Sequence, residues 1–158
     1  MKAPIKRTAA ASAIVIAAAT FFLNGVEGQK LVPYQDIRGI WTDCTGNTHH
    51  VVPGQVQTKA QCDSKLAVEI KAVDAGITQC ITVPMTTGQH VAFLSLAYNV
   101  GVRTVCNSNT VKRDLNHGLY TKACTELADP SWSTVAHQYN QGIHNRRVKE
   151  SHECLTVR

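Results

Sequence analysis

The sequence predicts an α+β fold in which a small β-hairpin lobe near the N-terminus precedes a larger helical lobe. Residues 31–52 are interrupted by Gly and Pro and carry the strand formers Ile37, Ile40 and Trp41, so we expect a hairpin or a three-stranded sheet there. From Thr58 onward, apolar residues recur at helical spacing. A length of 158 residues suits one domain with its own hydrophobic core.

The chain begins with a basic segment that is followed by an apolar one. Lys2, Lys6 and Arg7 precede residues 8–23, which carry no charge and are rich in Ala. This order is typical of an export signal. As a helix, the apolar segment would measure about 24 Å at ~1.5 Å per residue, less than the roughly 30 Å hydrocarbon core of a bilayer. We therefore expect the segment to enter a membrane and to be held there weakly.

Two fates of this segment are compatible with the sequence. Cleavage after Ala19 would split the apolar run before Phe21 and Phe22, which argues against an ordinary cleaved signal. We expect residues 1–25 to be a signal-anchor and export segment, and residues 26–158 to be the folded domain. An ordinary cleaved signal is the alternative.

The helical lobe carries clear signals for where helices begin and end. Thr58 and Thr86 each precede a Gln by three residues, which fits a capping box. The stretch HVAFLSLAYNVG is apolar nearly all round, which predicts a buried central helix ending at Gly101. Further helices are predicted over residues 109–117, 120–128 and about 145–154.

The net charge of +5, from 16 Lys and Arg against 11 Asp and Glu, favours an anionic partner. Nucleic acid, a membrane surface and bacterial wall polymers all qualify. No long basic run and no aromatic platform among basic residues is present in the sequence, so we expect no nucleic-acid binding.

Six cysteines are spread widely, and none forms a C-x-x-C pair. This spacing is poor for zinc and well suited to disulfides that join distant segments. Buried free thiols in a cytosolic protein are the alternative, which the export-like N-terminus disfavours. The six candidates are Cys44, Cys62, Cys80, Cys106, Cys124 and Cys154.

Glu27, Asp36 and Thr42 lie close together in a segment with few other charges. Cleavage of a glycosidic bond needs one carboxylic acid that protonates the leaving oxygen and a second group that manages a water or attacks the sugar. Glu27, with apolar neighbours, suits the acid, whereas Asp36 at a strand end suits an ionised group and Thr42 a water ligand. In the alternative interpretation, Glu27 is a solvated charge at a helix end and Asp36 caps its own turn.

The pattern E-G-x(2)-L-x-x-Y-x-D-x-x-G-x-x-T, which runs from Glu27 to Thr42, resembles the active-site segment of the phage-type lysozymes. Three later stretches are similar to other motifs of that family, in the same order. These are AFLSLAYNVG (92–101), NSNTVKRDLNHG (107–118) and GIHNRRVKESHECL (142–155). The resemblance thus covers nearly everything from residue 27 to residue 155.

The resemblance implies a lysozyme-like fold and a catalytic triad made of Glu27 as general acid, with Asp36 and Thr42 positioning the hydrolytic water. It also implies substrate contacts from Asn47, Asn99 and Thr110. In a fold of this kind we expect three disulfides, each joining neighbouring motifs, with the pairing Cys44–Cys62, Cys80–Cys106 and Cys124–Cys154.

The implied function is that of an endolysin that cuts the β-1,4 bond between N-acetylmuramic acid and N-acetylglucosamine in peptidoglycan, without metal or other cofactor. The N-terminus resembles the signal-anchor-release type of endolysin. That type implies export by the host machinery to the periplasm, with an initial tether to the inner membrane. We expect a monomer. The rivals are a non-catalytic, membrane-tethered wall-binding protein and a basic protein that acts on membranes through its N-terminal helix.

Two residue pairs have two interpretations each. His49 and His50 either bind substrate or are exposed loop residues. Arg146 and Arg147 either face the wall polymer or form structural ion pairs with acidic residues.

Overall fold

The structure is a computed structural model that describes residues 9–36 and 38–156. Lys2, Lys6, Arg7 and the predicted strand residue Ile37 lie outside the described residues. The elements, in chain order, are α1 (Ala9–Glu27), β1 (Lys30–Gln35), β2 (Trp41–Cys44), α2 (Lys59–Ile77), α3 (Thr87–Val100), α4 (Val102–Cys106), α5 (Val111–Asn116), α6 (Tyr120–Glu126), a 3₁₀ turn (Pro130–Ser133), β3 (Thr134–Val135), β4 (Gln138–Tyr139) and α7 (Gln141–Leu155). The predicted α+β fold, with a small hairpin lobe and a larger helical lobe, is confirmed.

The hairpin lobe is a two-stranded antiparallel sheet rather than a three-stranded one. Tyr34 pairs with Thr42 and Gln35 with Trp41, and an isolated bridge between Asp43 and Asn47 extends the ladder by one step. The lobe joins the helical lobe at the C-terminal end of α1 and at one face of α2.

The hydrophobic core surrounds α3. Nearly all side chains of this helix between residues 90 and 97 are buried, as its apolar sequence predicts. α1 packs on it through a stripe formed by Val15, Ala19 and Leu23, which recur every four residues and so share one face. The apolar N-terminal segment is therefore part of the core in this structure. Among the described residues, no helix combines the length and the apolar character needed to cross a membrane.

α3 and α7 lie unusually close because Gly88 has no side chain. A Cβ atom at this position would stand 2.6 Å from the carbonyl oxygen of Glu153. Further along the two helices, Arg146 on α7 donates to the carbonyl of Ser95 in the middle of α3.

Both predicted capping boxes are present. The Oγ1 atom of Thr58 accepts the N–H of Gln61, and the Gln61 side chain accepts the N–H of Thr58; Thr86 and Gln89 do the same.

The predicted pairing of the cysteines is confirmed, with disulfides Cys44–Cys62, Cys80–Cys106 and Cys124–Cys154.

Several predicted boundaries differ from the observed ones. α5 and α6 are shorter than predicted, and α7 begins at Gln141 instead of near residue 145, because the Asn140 side chain caps it by accepting the N–H of Ile143. α4 and the small β3–β4 hairpin were not predicted from the sequence.

Candidate active site

Glu27 is the last residue of α1, where its carboxylate faces the negative end of the helix dipole. α1 has no basic residue in its last turn, and the compensating charge comes from α7: the Nη1 atom of Arg146 donates to Glu27 Oε1. The Glu27 side chain is 33% exposed and that of Arg146 only 8%. Glu27 is thus an ion-paired group at the edge of the core, and not a freely solvated helix-end charge. Arg146 has the predicted structural pairing.

Asp36 occupies the turn between β1 and β2. Its Oδ1 atom accepts the backbone N–H groups of Arg38 at 2.8 Å and of Ile40 at 2.9 Å, and the Arg38 guanidinium lies 3.4 Å from Oδ2. The N–H of Ile40 is the largest cause that holds the pKa of Asp36 below its ordinary value. Burial opposes it, and the backbone N–H and guanidinium of Arg38 lower the pKa further. Asp36 therefore caps its own turn, as the alternative interpretation expected, and remains an ionised carboxylate.

Thr42 lies on β2 and is buried. Its hydroxyl donates to the carbonyl of Ile40 at 3.0 Å, which uses its one proton and leaves its lone pairs free to accept. Asp36 and Thr42 both bind the backbone of Ile40. The N–H of Ile40 donates to the Asp36 carboxylate, and its carbonyl accepts from the Asp36 N–H and from the Thr42 hydroxyl. The backbone of this one residue thus fixes Asp36 and Thr42 relative to each other.

The two residues after Thr42 attach the hairpin lobe to α2. Asp43 is fully buried, and its Oδ2 atom lies 2.6 Å from Lys65 Nζ. Cys44 is joined by a disulfide to Cys62. Cys62 and Lys65 are three residues apart, so they share one face of α2.

The third residue after Thr42, Thr45, attaches the lobe to α3 and α1. The Tyr98 hydroxyl lies 2.9 Å from the Thr45 carbonyl and 2.8 Å from a carboxylate oxygen of Glu69, which continues the same face of α2. The Thr45 hydroxyl donates to Asn24, one turn before Glu27 on α1. The pKa of Tyr98 is raised, first by burial and then by its bond to Glu69. These contacts fix the strand that carries Thr42 relative to the helix that carries Glu27.

The predicted substrate-binding residues lie in different settings. Asn47 is buried and its amide is occupied, donating to Asp43 at 2.7 Å and to the His49 carbonyl at 3.0 Å. Thr110 is exposed just before α5, with its hydroxyl 3.1 Å from that of Ser108. These roles in substrate binding stay predictions. His49 and His50 are exposed loop residues.

Asn99, the third of these residues, lies near the exposed C-terminal end of α3, where its Oδ1 atom accepts from Arg147 at 2.5 Å. Arg147 is fully buried and also pairs with Glu150. Glu150 was not among the predicted site residues, although its spacing of four and three residues from Arg146 and Arg147 indicates pairing on one helix face.

No group of three or more His, Cys, Asp or Glu side chains in the described part of the chain is arranged to hold a metal ion. The site has the elements that glycoside hydrolysis requires: an acid at a helix end, an ionised carboxylate and a hydroxyl that can accept from water.

Residues 24–150 match the family model of phage lysozymes. The chain is 33% identical to a SAR-endolysin of Enterobacteria phage P21, over 84% of this chain and 79% of that protein. It is 32% identical to a SAR-endolysin of Pseudomonas phage phiKMV, over 89% and 88% of the two chains.

Similar solved structures include the muramidase domain of SpmX from Asticaccaulis excentricus, with a TM-score of 0.79 and 23% identity over 89% of this chain and 96% of that one. The active form of the P1 phage endolysin Lyz has a TM-score of 0.77 and 24% identity over 98% and 96% of the chains. At these identities the two structures establish the fold.

The family match and these relatives define a lysozyme-type hydrolase with a lytic, peptidoglycan-cleaving function. The chain belongs to the phage lysozyme family.

Proposed function

We propose that this protein is an endolysin that hydrolyses the β-1,4 bond between N-acetylmuramic acid and N-acetylglucosamine and thereby lyses the host cell. Glu27 is the general acid, and Asp36 and Thr42 position the hydrolytic water. The observation that carries the proposal is the backbone of Ile40, which binds both an ionised carboxylate in the hairpin turn, Asp36, and an accepting hydroxyl on the following strand, Thr42. The hairpin lobe is attached, through Thr45, to the helix that ends at Glu27.

The proposed chemistry follows from these positions. In the proposed step, Glu27 donates a carboxyl proton to the leaving glycosidic oxygen. Thr42 donates no hydrogen bond to the water, because its one proton is bound to the Ile40 carbonyl. The water instead donates one hydrogen bond to the Thr42 hydroxyl and one to the Asp36 carboxylate. These two contacts orient the water's lone pair toward the sugar carbon. As the water oxygen bonds to that carbon and the glycosidic bond breaks, the proton that the water loses passes to the Asp36 carboxylate, and exchange with solvent restores the proton of Glu27.

Glu27→Gln tests the assignment, because the amide keeps the shape of the side chain but has no transferable proton. We expect the variant to fold, to bind purified cell wall and to lose at least about 100-fold in the rate of turbidity clearing, within the range for loss of a general acid. Glu153→Gln, the same change two turns beyond Arg146 on α7, is the matched control and should clear at the parental rate. Clearing by folded Glu27→Gln at a rate near that of the parent would refute the catalytic role. A parent protein that binds wall without clearing it would instead be a wall-binding protein.

We further propose that the apolar N-terminal segment first tethers the exported protein to the inner membrane and later enters the fold as α1. The proposal is supported by the relatives' designation as SAR-endolysins and by the unbroken helix from Ala9 to Glu27. While this segment stays in a bilayer, Glu27 is held at the membrane surface and cannot reach Arg146. Release lets Val15, Ala19 and Leu23 pack on α3, which places Glu27 in the site.

The release step is tested by making the segment more apolar without disturbing the fold. Ala13 and Ala17 are exposed in the folded state, so Leu is tolerated there, whereas Leu at the fully buried Ala19 would overpack the core. Each Leu favours membrane insertion by about 0.3–0.6 kcal/mol. In expressing cells whose membrane potential is dissipated, the double Leu variant should stay membrane-bound and lyse slowly, while the parent lyses quickly. Matched replacement of Ala13 and Ala17 by Ser should not delay lysis. Equal lysis by the Leu variant and the parent, or recovery of a parent trimmed near Ala19, would refute the tether.

A further inference from the structure

Glu150 is a fully buried carboxylate to which the proposed chemistry assigns no task. Its Oε1 atom accepts from the Ser95 hydroxyl at 2.5 Å and from Arg146 Nε at 3.0 Å, and its Oε2 atom accepts from Arg147 Nη1. Arg146 and Arg147 precede Glu150 by four and three residues on α7, so all three side chains lie on one helix face, against α3.

Arg146 is held along one edge of its planar guanidinium. Nε donates to Glu150, and Nη2 donates to the Ser95 carbonyl at 3.1 Å and to its hydroxyl at 3.3 Å. These bonds fix the plane of the group, so that the remaining nitrogen, Nη1, is aimed at Glu27. The direction of the Glu27 carboxylate thus depends on the Glu150–Ser95 anchor.

Arg147 connects the buried Glu150 to the exposed Asn99. Its Nη1 atom is held by Glu150, and its Nη2 atom donates to Asn99 at 2.5 Å. Arg has donors only, so the carbonyl oxygen of Asn99 must face it and the amide nitrogen must point the other way. Asn99 is exposed, so its two N–H donors are available to an acceptor on a ligand, such as the carbonyl oxygen of an N-acetyl group on a sugar.

The cluster is a poor source of stability. Burial raises the pKa of Glu150 and lowers that of Arg147, and their mutual attraction only opposes this cost of desolvation. Well-packed apolar side chains would fill the same space with no such cost. The contacts instead give the two arginines one fixed arrangement.

We propose that Glu150 is a positioning residue that aligns the general acid Glu27 through Arg146 and the substrate-binding amide of Asn99 through Arg147. The inference rests on the proposed function of Glu27. It goes further by assigning to one buried carboxylate both the orientation of the acid, which acts on kcat, and the orientation of a substrate donor, which acts on KM.

A double-mutant cycle tests the link to the substrate. Steady-state kcat and KM are measured on soluble, uncross-linked glycan strands of peptidoglycan for the parent, Glu150→Gln, Asn99→Ala and the double variant. Asn99→Ala should act mainly on KM, raising it about 5- to 10-fold, as expected for the loss of one hydrogen bond to substrate. Glu150→Gln should raise KM by a similar factor and lower kcat by about 10-fold or more, because a misaligned acid transfers its proton less well. In the double variant, KM should rise by less than about 2-fold beyond the value for Glu150→Gln, because the amide is already misplaced.

Asp114→Asn is the matched control, since Asp114 is another buried carboxylate with two cationic partners, Arg113 and Lys122. It should lower the melting temperature, as Glu150→Gln does, with kcat and KM close to the parental values. If Glu150→Gln does not fold, Arg147→Lys replaces it in the cycle. Lys keeps the positive charge but cannot hold Glu150 and Asn99 together, so the same non-additive rise in KM is expected.

Multiplicative effects on KM would overturn the inference, as would an equal loss of activity in Asp114→Asn. The Glu27→Gln variant separates this failure from failure of the proposed function. If Glu27→Gln is inactive and the cycle is multiplicative, only the role of Glu150 is wrong. If Glu27→Gln is active, the catalytic assignment itself is wrong.

Discussion

The ion pair between Asp43 and Lys65 connects the hairpin lobe to α2 and is expected to dominate the stability of that junction. Asp43 is fully buried, the Lys65 side chain is 28% exposed, and their charged atoms lie 2.6 Å apart. At an effective dielectric constant of about 20, two unit charges at this distance attract by about 6 kcal/mol, which the desolvation of Asp43 offsets in part. Lys65→Met keeps the aliphatic stem but leaves a buried carboxylate without its cation.

Loss of one partner of a buried pair costs about 3–5 kcal/mol. Water can reach the partly exposed Lys65 position, and Asn47 still donates to Asp43 at 2.7 Å. We therefore expect Lys65→Met to lower the free energy of unfolding by about 3 kcal/mol, at the low end of that range. Asp43→Asn should cost less, about 1–2 kcal/mol, because the freed lysine can turn into solvent.

The assay is urea unfolding followed by far-UV circular dichroism, with the disulfides intact, for the parent, both single variants and the double variant. The double variant removes both charges, so it should be more stable than Lys65→Met alone. The slope of the unfolding free energy against urea should not change. A cost below about 1 kcal/mol for Lys65→Met would show that the pair behaves as an exposed salt bridge, and would refute the reasoning.

Three other outcomes are expected. The lowered pKa of Asp36 adds stability that is present above its unfolded pKa, near 3.8, and is lost as the pH falls through the lower folded pKa. Acid titrations followed by circular dichroism should therefore show the stabilities of the parent and of Asp36→Asn converging below the folded pKa. A stability difference that stays constant with pH would contradict this. Replacing Cys124 and Cys154 by Ser removes a disulfide with a sequence separation of 30 and should lower the free energy of unfolding in urea by about 3–4 kcal/mol. An unchanged free energy of unfolding would show that the disulfide does not constrain the unfolded chain. Gly88→Ala should lower the melting temperature, although Ala favours helices. The new Cβ would stand 2.6 Å from the backbone oxygen of Glu153 and must push α3 away from α7. A higher melting temperature would refute the close approach of the two helices.

Local patterns predicted the elements of the fold well where a single helical turn contains the signal. The boxes at Thr58 and Thr86 use a side chain and a backbone N–H three residues away, and both are formed. The Asn140 cap is equally local, but it was not recognised in the sequence, and α7 begins four residues before the predicted start. α4 is too short, at five residues, to show a period.

The candidate site was predictable in part. The spacing of Asp36 and Thr42 predicted a hairpin around them, and in the structure the backbone of Ile40 binds both side chains. The ionised state of Asp36 follows from its own turn. The setting of Glu27 was not predictable, because the apolar neighbours that the sequence offers are replaced by Arg146, which lies 119 residues away along the chain.

The sequence by itself determined the fold class, the starts of the two helices that follow Thr58 and Thr86, the functional groups that Glu27, Asp36 and Thr42 carry, and the six cysteines available for pairing. These features depend on residue type and on spacing within a few turns, which the chain carries wherever it folds. Tertiary structure alone decided that Arg146 faces Glu27, that Lys65 faces Asp43, and that Glu150 connects two arginines to α3. Such contacts exist only when the apolar faces of α1, α3 and α7 pack together, because packing, and not sequence distance, sets which polar groups meet at the edge of a core.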